Sequence, residues 1–140
     1  MNGGAAQRAG LFLGVTLLLG ACGQHLGFGT ETGSDSDALN AYPTNYKANI
    51  LAAMHAYLND PTGIHDAVIS EPALKTVGGL TRYVVCLKFN AKKNASEYAG
   101  VKEIAAAFLL GRFDQFVEIP HDLCAGASYT PFPELQKLPP

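Results

Sequence analysis

What this sequence lacks already narrows the kinds of protein it can encode. It has no tryptophan, only three cysteines, and few charges, since Asp, Glu, Lys and Arg make up 16% of its 140 residues. Ten basic residues against 12 acidic ones leave no basic stripe of the kind that nucleic-acid binding requires. We therefore predict no nucleic-acid partner. Because 48% of the residues are hydrophobic, we expect one ordinary globular domain.

The residue patterns of metal sites and catalytic centres are also missing. The four histidines, at positions 25, 55, 65 and 121, lack the HxxxH or HExxH spacing that brings zinc ligands together. The pairs His65-Asp66 and His121-Asp122 are more typical of turns than of a His-Asp phosphohydrolase. No serine stands in a GxSxG elbow. We predict no metal, no cofactor and no enzymatic activity.

The longest apolar run lies at the N-terminus. Arg8 is the only charge among the first 30 residues and precedes an apolar run from Ala9 to Ala21, which is the pattern of a secretory signal. This run has 13 residues, fewer than the roughly 20 that cross a bilayer as a helix. Residues 1–21 are therefore predicted to be a removable signal peptide.

The end of this run indicates the type of signal. Leu19-Gly20-Ala21-Cys22 resembles the lipobox of bacterial lipoproteins, with an aliphatic residue, two small residues and a cysteine. The resemblance implies cleavage before Cys22 and two or three acyl chains on that residue, which is enough for a stable membrane anchor. Gly23 follows instead of Asp, which favours the outer membrane, facing the periplasm, as the location.

The remaining chain divides by composition into a tether, 22–41, and a domain, 42–140. The tether is rich in Gly, Ser, Thr and Asp and would hold the domain on the order of 25 Å from the membrane. With Cys22 acylated, Cys86 and Cys124 form an even pair in an oxidising compartment, so we predict a disulfide between them. The alternative, a catalytic or metal-binding thiol pair, lacks a CxxC motif and an adjacent histidine.

The pattern of 42–140 predicts an α+β domain. Apolar residues recur at helical spacing from Tyr46 to Leu58, which indicates an N-terminal helix. Strands are predicted at 67–70, 81–90, 101–110 and 113–119, and a short helix at 120–124. For 101–110 a helix is the alternative, because the three alanines at 105–107 favour one. We therefore expect the first helix to pack on a roughly four-stranded antiparallel sheet, followed by the short C-terminal helix and an extended tail. The tail either covers its own core or docks in a partner's groove.

A polar stretch at 91–100 is the strongest surface candidate. It exceeds the usual hairpin loop of about two to five residues, and long loops often carry function. We predict a partner-binding loop that includes Lys92, Lys93 and Tyr98. The alternative is a solvated loop whose charges keep the protein soluble.

Four segments resemble a group of small bacterial envelope lipoproteins of unknown function. These segments read YPTNYK from Tyr42, ISEP from Ile69, YVVCLKFNAK from Tyr83 and CAGA from Cys124, with a YxG motif at Tyr98. The resemblance covers residues 42 to about 135 and implies a fold and an envelope location, but no catalytic residue. This chain has Ser96-Glu97 before Tyr98, where members often have glycines.

Together these features predict a non-enzymatic envelope protein that contacts the membrane through lipid on Cys22. Its domain is expected to bind a protein or cell-wall partner. Two alternatives remain at this point. One is a small envelope hydrolase whose site only the tertiary structure assembles, and the other is a structural or inhibitor-like module that acts on an envelope enzyme.

Overall fold

The computed structural model describes residues 40–118 and 120–140. The predicted signal peptide, Cys22 and most of the predicted tether lie outside these residues. In chain order, the described elements are α1 (Tyr46–Tyr57), β1 (His65–Ser70), β2 (Ala73–Val77), β3 (Leu80–Asn94), β4 (Glu97–Leu109), β5 (Arg112–Val117), β6 (Tyr129–Pro131) and α2 (Pro133–Gln136). Neither of these two helices has the length and apolar character that a membrane crossing needs.

The described strands form one antiparallel sheet with the order β5-β4-β3-β1-β6. Two shorter strands pair with different parts of one edge of the long strand β3. Its first half pairs with β2, where Lys75 faces Arg82, and its second half pairs with β1, where Val68 faces Lys88. The opposite edge of β3 pairs with β4, which in turn carries β5.

The predicted fold class is wrong. The described chain is mostly a six-stranded antiparallel sheet with one short helix, α1, and the four-residue helix α2, not an α+β domain with about four strands. Residues 121–126 form turns and a bend where a helix was predicted, and the tail supplies β6 and α2. The sequence pattern missed two strands because β2 is largely exposed and β6 has three residues, so neither shows alternating burial.

The main core lies between α1 and one face of the sheet. Ile50 and Met54 of α1 are fully buried together with Val85, Leu87 and Phe89 of β3. The alternate spacing of the three β3 residues places them on one face of the strand. Fully buried residues of the tail also join this core, namely Phe132 and Leu135. The tail therefore covers its own core.

A smaller core lies on the opposite face of the sheet. Val84 and Cys86 of β3 pack there with Ala105 of β4 and with Cys124. Cys86 and Cys124 form the predicted disulfide, with Cα atoms 5.8 Å apart. Ser70 adds a buried polar link, because its hydroxyl accepts the backbone N–H of Cys86 at 2.8 Å. These contacts hold the segment around Cys124 against the sheet.

Reducing the disulfide should destabilise the domain by about 4 kcal/mol, because the unfolded chain regains the freedom that the closed loop removes. The two cysteines are 38 positions apart. Urea unfolding followed by circular dichroism, with and without a reductant, measures the change. The Cys86→Ala/Cys124→Ala double variant should match the reduced protein. Equal unfolding midpoints for oxidised and reduced protein would contradict the prediction.

Candidate binding site

The end of the β3–β4 hairpin occupies the stretch that the sequence predicts to be a long loop. β3 continues to Asn94 and β4 begins at Glu97, so Ala95 and Ser96 alone form the turn. The Ser96 N–H donates to Asn94 Oδ1 at 3.0 Å, which makes an Asx-type turn without glycine. The loop prediction is wrong because this part of the hairpin extends beyond the core. Its side chains are polar on both faces, so the period-two pattern disappears.

Two irregularities in strand pairing shape this hairpin end. β4 has an extra residue between the pairs Asn90–Val101 and Lys92–Tyr98, and Gly100 within it has a φ of 89°, a conformation that favours glycine. The Gly100 N–H donates to Asn90 Oδ1 at 3.0 Å. Such bulges bend a strand and redirect its side chains.

Lys92 attaches the hairpin to the segment between α1 and β1. Its Nζ lies 3.4 Å from Asp60 Oδ2 and donates to Thr62 Oγ1 at 3.4 Å. The hydroxyl and backbone N–H of Thr62 both donate to Asp60 Oδ1, at 2.5 and 2.9 Å. These hydrogen bonds lower the pKa of the Asp60 carboxyl, so it remains charged beside the lysine.

Tyr98 makes a second attachment to the same segment. Its hydroxyl donates to the Gly63 carbonyl at 2.9 Å and lies 2.8 Å from His65 Nε2. The hydroxyl has one proton, which the carbonyl receives, so Nε2 is the donor to the tyrosine oxygen. Gly63 has a φ of 66°, and a Cβ there would lie 3.0 Å from Lys92 Cε. A glycine thus permits the close approach of both side chains.

A second polar cluster joins the end of α1 to β4 and to the residue after β5. Lys102 Nζ donates to the Tyr57 hydroxyl at 2.5 Å and lies 3.3 Å from Glu118 Oε1. Tyr57 in turn donates to Glu118 at 2.6 Å. Because Lys102 also donates directly to Glu118, the three side chains form a closed triangle of hydrogen bonds.

These hydrogen bonds keep Lys102 and Glu118 charged. The hydrogen bond from Tyr57 is the main reason that the pKa of the Glu118 carboxyl lies below its ordinary value. The same hydroxyl raises the pKa of Lys102, while burial and then the bond to Glu118 raise the pKa of Tyr57. A general acid or base works best with a pKa near the working pH. All three shifts lead away from neutrality, so the cluster supplies fixed charges and not a proton carrier.

An open cleft of about 290 Å³ lies between the two clusters. Buried Phe89 and Ala91 supply apolar surface to it, and Lys92, Lys102 and Glu118 line its sides. The volume falls just below the usual ~300–1,000 Å³ of small-molecule sites. Another cleft, of about 240 Å³ beside the disulfide, lacks this arrangement of paired charges among the described residues.

The structure separates the three residues of the predicted partner-binding loop. Lys92 and Tyr98 are engaged by the segment between α1 and β1, as described above. Lys93 occupies a bulge of β3, and its side chain is 65% exposed and 3.9 Å from Glu97, an ion pair of the kind that contributes little. Sequence reasoning missed Tyr57, Lys102 and Glu118, which lie on separate elements and share no motif.

The histidines do not assemble a catalytic centre within the part of the chain that the structure describes. His55 and His121 are exposed, and His65 contacts Tyr98. No serine or carboxylate in residues 40–118 and 120–140 hydrogen-bonds to any of the three. Nor does any group of three His, Cys, Asp or Glu side chains in these ranges have the proximity that a metal ion needs.

Comparison of the chain with protein families, with curated protein sequences and with solved structures found no match. The chemistry and geometry of the site therefore carry the functional information. The cleft combines an apolar surface with two lysines and a carboxylate. Hydrogen bonds between the β3–β4 hairpin and its neighbours hold these groups in place.

Replacing Tyr57 with Phe should raise the pKa of Glu118 towards its ordinary value, because the lost hydroxyl is the main cause of the lowering. Carbon NMR titration of the side-chain carboxyl measures this. The contribution of Glu118 to the free energy of unfolding is present above its unfolded pKa and is lost as the pH falls through its lower, folded pKa. In the Tyr57→Phe variant, the free energy of unfolding should therefore depend less on pH in the acidic range. Tyr98→Phe is the matched control, and its Glu118 should titrate as in the wild type. An identical titration in Tyr57→Phe would disprove the assignment.

Proposed function

We propose that this protein is a lipid-anchored envelope lipoprotein whose domain binds a peptide segment of an envelope partner, without catalysis. The observation that carries the proposal is the cleft at the hairpin end, which places apolar surface beside fixed charges of both signs. Peptides offer matching groups, namely apolar side chains together with ammonium and carboxylate groups. The partner's peptide belongs either to a protein or to the cell wall.

The fixed geometry of the cleft supports binding. Lys92 and Tyr98 hold the hairpin against the segment between α1 and β1, and Tyr57 holds α1 against β4. A site whose walls are already ordered loses less conformational entropy when a ligand binds. The pKa directions of Lys102 and Glu118 favour constant charges over proton transfer, which supports a binding role more than a hydrolytic one.

The envelope location and the anchor rest on the sequence. Leu19-Gly20-Ala21-Cys22 resembles a lipobox, and four segments of the domain resemble small envelope lipoproteins. The Cys86–Cys124 disulfide supports export, because disulfides persist mainly in oxidising compartments. We propose the outer membrane, facing the periplasm, because Gly23 follows the cysteine.

Metabolic labelling with a palmitate analogue tests the anchor. The wild-type protein should incorporate the label, and Cys22→Ser should not, because the acylated thiol is missing. Cys86→Ser is the matched control, which removes a different cysteine and should retain the label. An unlabelled wild type, or a labelled Cys22→Ser variant, would refute acylation at Cys22.

Photo-crosslinking in intact cells tests the cleft. A photoreactive residue at Ala99, which is exposed and lines the cleft, should form an adduct with the partner. The matched control is Val101, which lies on the same strand, is 64% exposed and does not line the cleft. Charge reversal by Lys102→Glu should abolish the adduct from position 99. Mass spectrometry of the adduct distinguishes a protein from a cell-wall peptide.

The comparison of the two positions makes this experiment decisive. An adduct from position 99 that is absent at position 101 and sensitive to Lys102→Glu supports the binding cleft. The absence of any adduct at position 99, or equal adducts from both positions, would overturn it.

A further inference from the structure

The end of the sheet opposite the cleft exposes apolar side chains on two neighbouring hairpin turns. β3 begins and β4 ends there, so the turn at Gly78-Gly79 and the turn at Leu110-Gly111 share one end of the sheet. Leu80 and Leu110, at these turns, are 47% and 54% exposed. Leu74 of β2 is exposed nearby, opposite Tyr83. Exposed apolar groups clustered in this way often mark an interaction surface.

Tyr42 connects the two hairpins at this end. Its ring packs edge-on against Tyr83 of β3 with centroids 5.1 Å apart, and its carbonyl oxygen is 3.6 Å from the position of a Cβ at Gly111. Its own side chain is 48% exposed. The chain that follows the predicted lipidated Cys22 thus enters the described domain at this end. We name the surface formed by Tyr42, Leu74, Lys75, Leu80, Leu110 and Arg112 the turn surface.

The turn surface also has a positive charge. Neither Lys75 of β2 nor Arg112 of β5 has a carboxylate within 4.0 Å among the residues that the structure describes. Asp114, the acidic residue on the adjoining part of β5, lies 2.6 Å from Arg82 and is neutralised by it. Of the two remaining cations, Arg112 is exposed, and Lys75 is half-buried at the rim of the cleft beside the disulfide.

We propose that the turn surface rests on the membrane, with its leucines and Tyr42 in the interfacial region and its cations on anionic headgroups. This inference rests on the proposed lipid anchor, which would hold the domain within 19 tether residues of the bilayer, from Gly23 to Ala41. Apolar groups partition into the interfacial region. Each cation near an anionic surface adds about a fivefold preference.

The orientation that follows has a consequence for the cleft. β3 runs from Leu80 at the turn surface to Lys92 at the cleft, and a strand rises about 3.3 Å per residue, so the two lie about 40 Å apart. A domain that stands on its turn surface would present the cleft about 40 Å from the membrane. The peptide that binds there would be one displayed at that height, not one buried among the headgroups.

Spin-label accessibility on the acylated, full-length protein in vesicles tests this contact. A nitroxide on Leu110→Cys should be protected from an aqueous nickel chelate and exposed to oxygen dissolved in the lipid. A nitroxide on Val101→Cys, which is 64% exposed at the cleft end of β4, is the matched control and should show the reverse. The vesicles contain phosphatidylethanolamine and phosphatidylglycerol, and phosphatidylcholine alone gives the comparison without anionic lipid. Non-reducing mass spectrometry confirms that Cys86 and Cys124 remain paired in each labelled protein.

The double variant Lys75→Gln/Arg112→Gln tests the charge contribution. Acylation keeps the double variant on the vesicle, so the substitutions change only the contact of its domain with the membrane. The ratio of protected to exposed Leu110 label should fall about 25-fold with anionic vesicles. Equal exposure of the labels at 110 and 101 in the wild type would overturn the membrane contact, as would a lack of effect of the double variant. Failure of the proposed anchor is distinguishable, because intact mass then shows no acyl group on Cys22.

Discussion

The antiparallel pairing of β3 with β4 is the interaction on which the rest of the described structure depends. It continues from Val84 facing Ala107 to Asn94 facing Glu97. One face of β3 supplies the main core, and the other carries Cys86 and its disulfide to Cys124. β2 and β1 pair with one edge of β3, and β5 pairs with the free edge of β4. The backbone pairing of these two long strands therefore positions the main core, the disulfide and the other strands of the sheet.

The same two strands end in chemically different surfaces. At the hairpin end, bulges and the Gly100 conformation bend the strands, and Lys92 and Tyr98 hold them against the segment before β1. At the other end, two tight turns leave leucines exposed. The proposed peptide cleft and the proposed membrane contact use these opposite ends. A long hairpin is suited to such a division because it is stiff and separates its ends by several nanometres.

The sequence predicted features that had few possible arrangements, such as the cysteine pairing. It did not predict strands that tertiary contacts stabilise without a local pattern of alternating residues. Two cysteines besides Cys22 allow a single pairing, and the structure confirms it. The predicted α+β fold class failed because β2 and β6 have no burial alternation, and the loop at 91–100 is strand because backbone pairing continues beyond the core. Lys92 and Tyr98 were singled out as loop residues available to a partner, but their contacts lie mainly within the domain.

By itself, the sequence determined the Cys86–Cys124 pairing, because two cysteines besides Cys22 allow one pairing, and it determined that residues 81–90 form a strand, because period-two spacing is a local property. Only the tertiary structure decided which polar residues meet. Tyr57 is 45 positions from Lys102 and 61 from Glu118, and the order of strands in the sheet brings the three together. The two cations of the turn surface, Lys75 and Arg112, likewise belong to separate hairpins. No spacing along the chain encodes these contacts, because they follow from the packing of α1 on a sheet whose number of strands the sequence pattern predicted incorrectly.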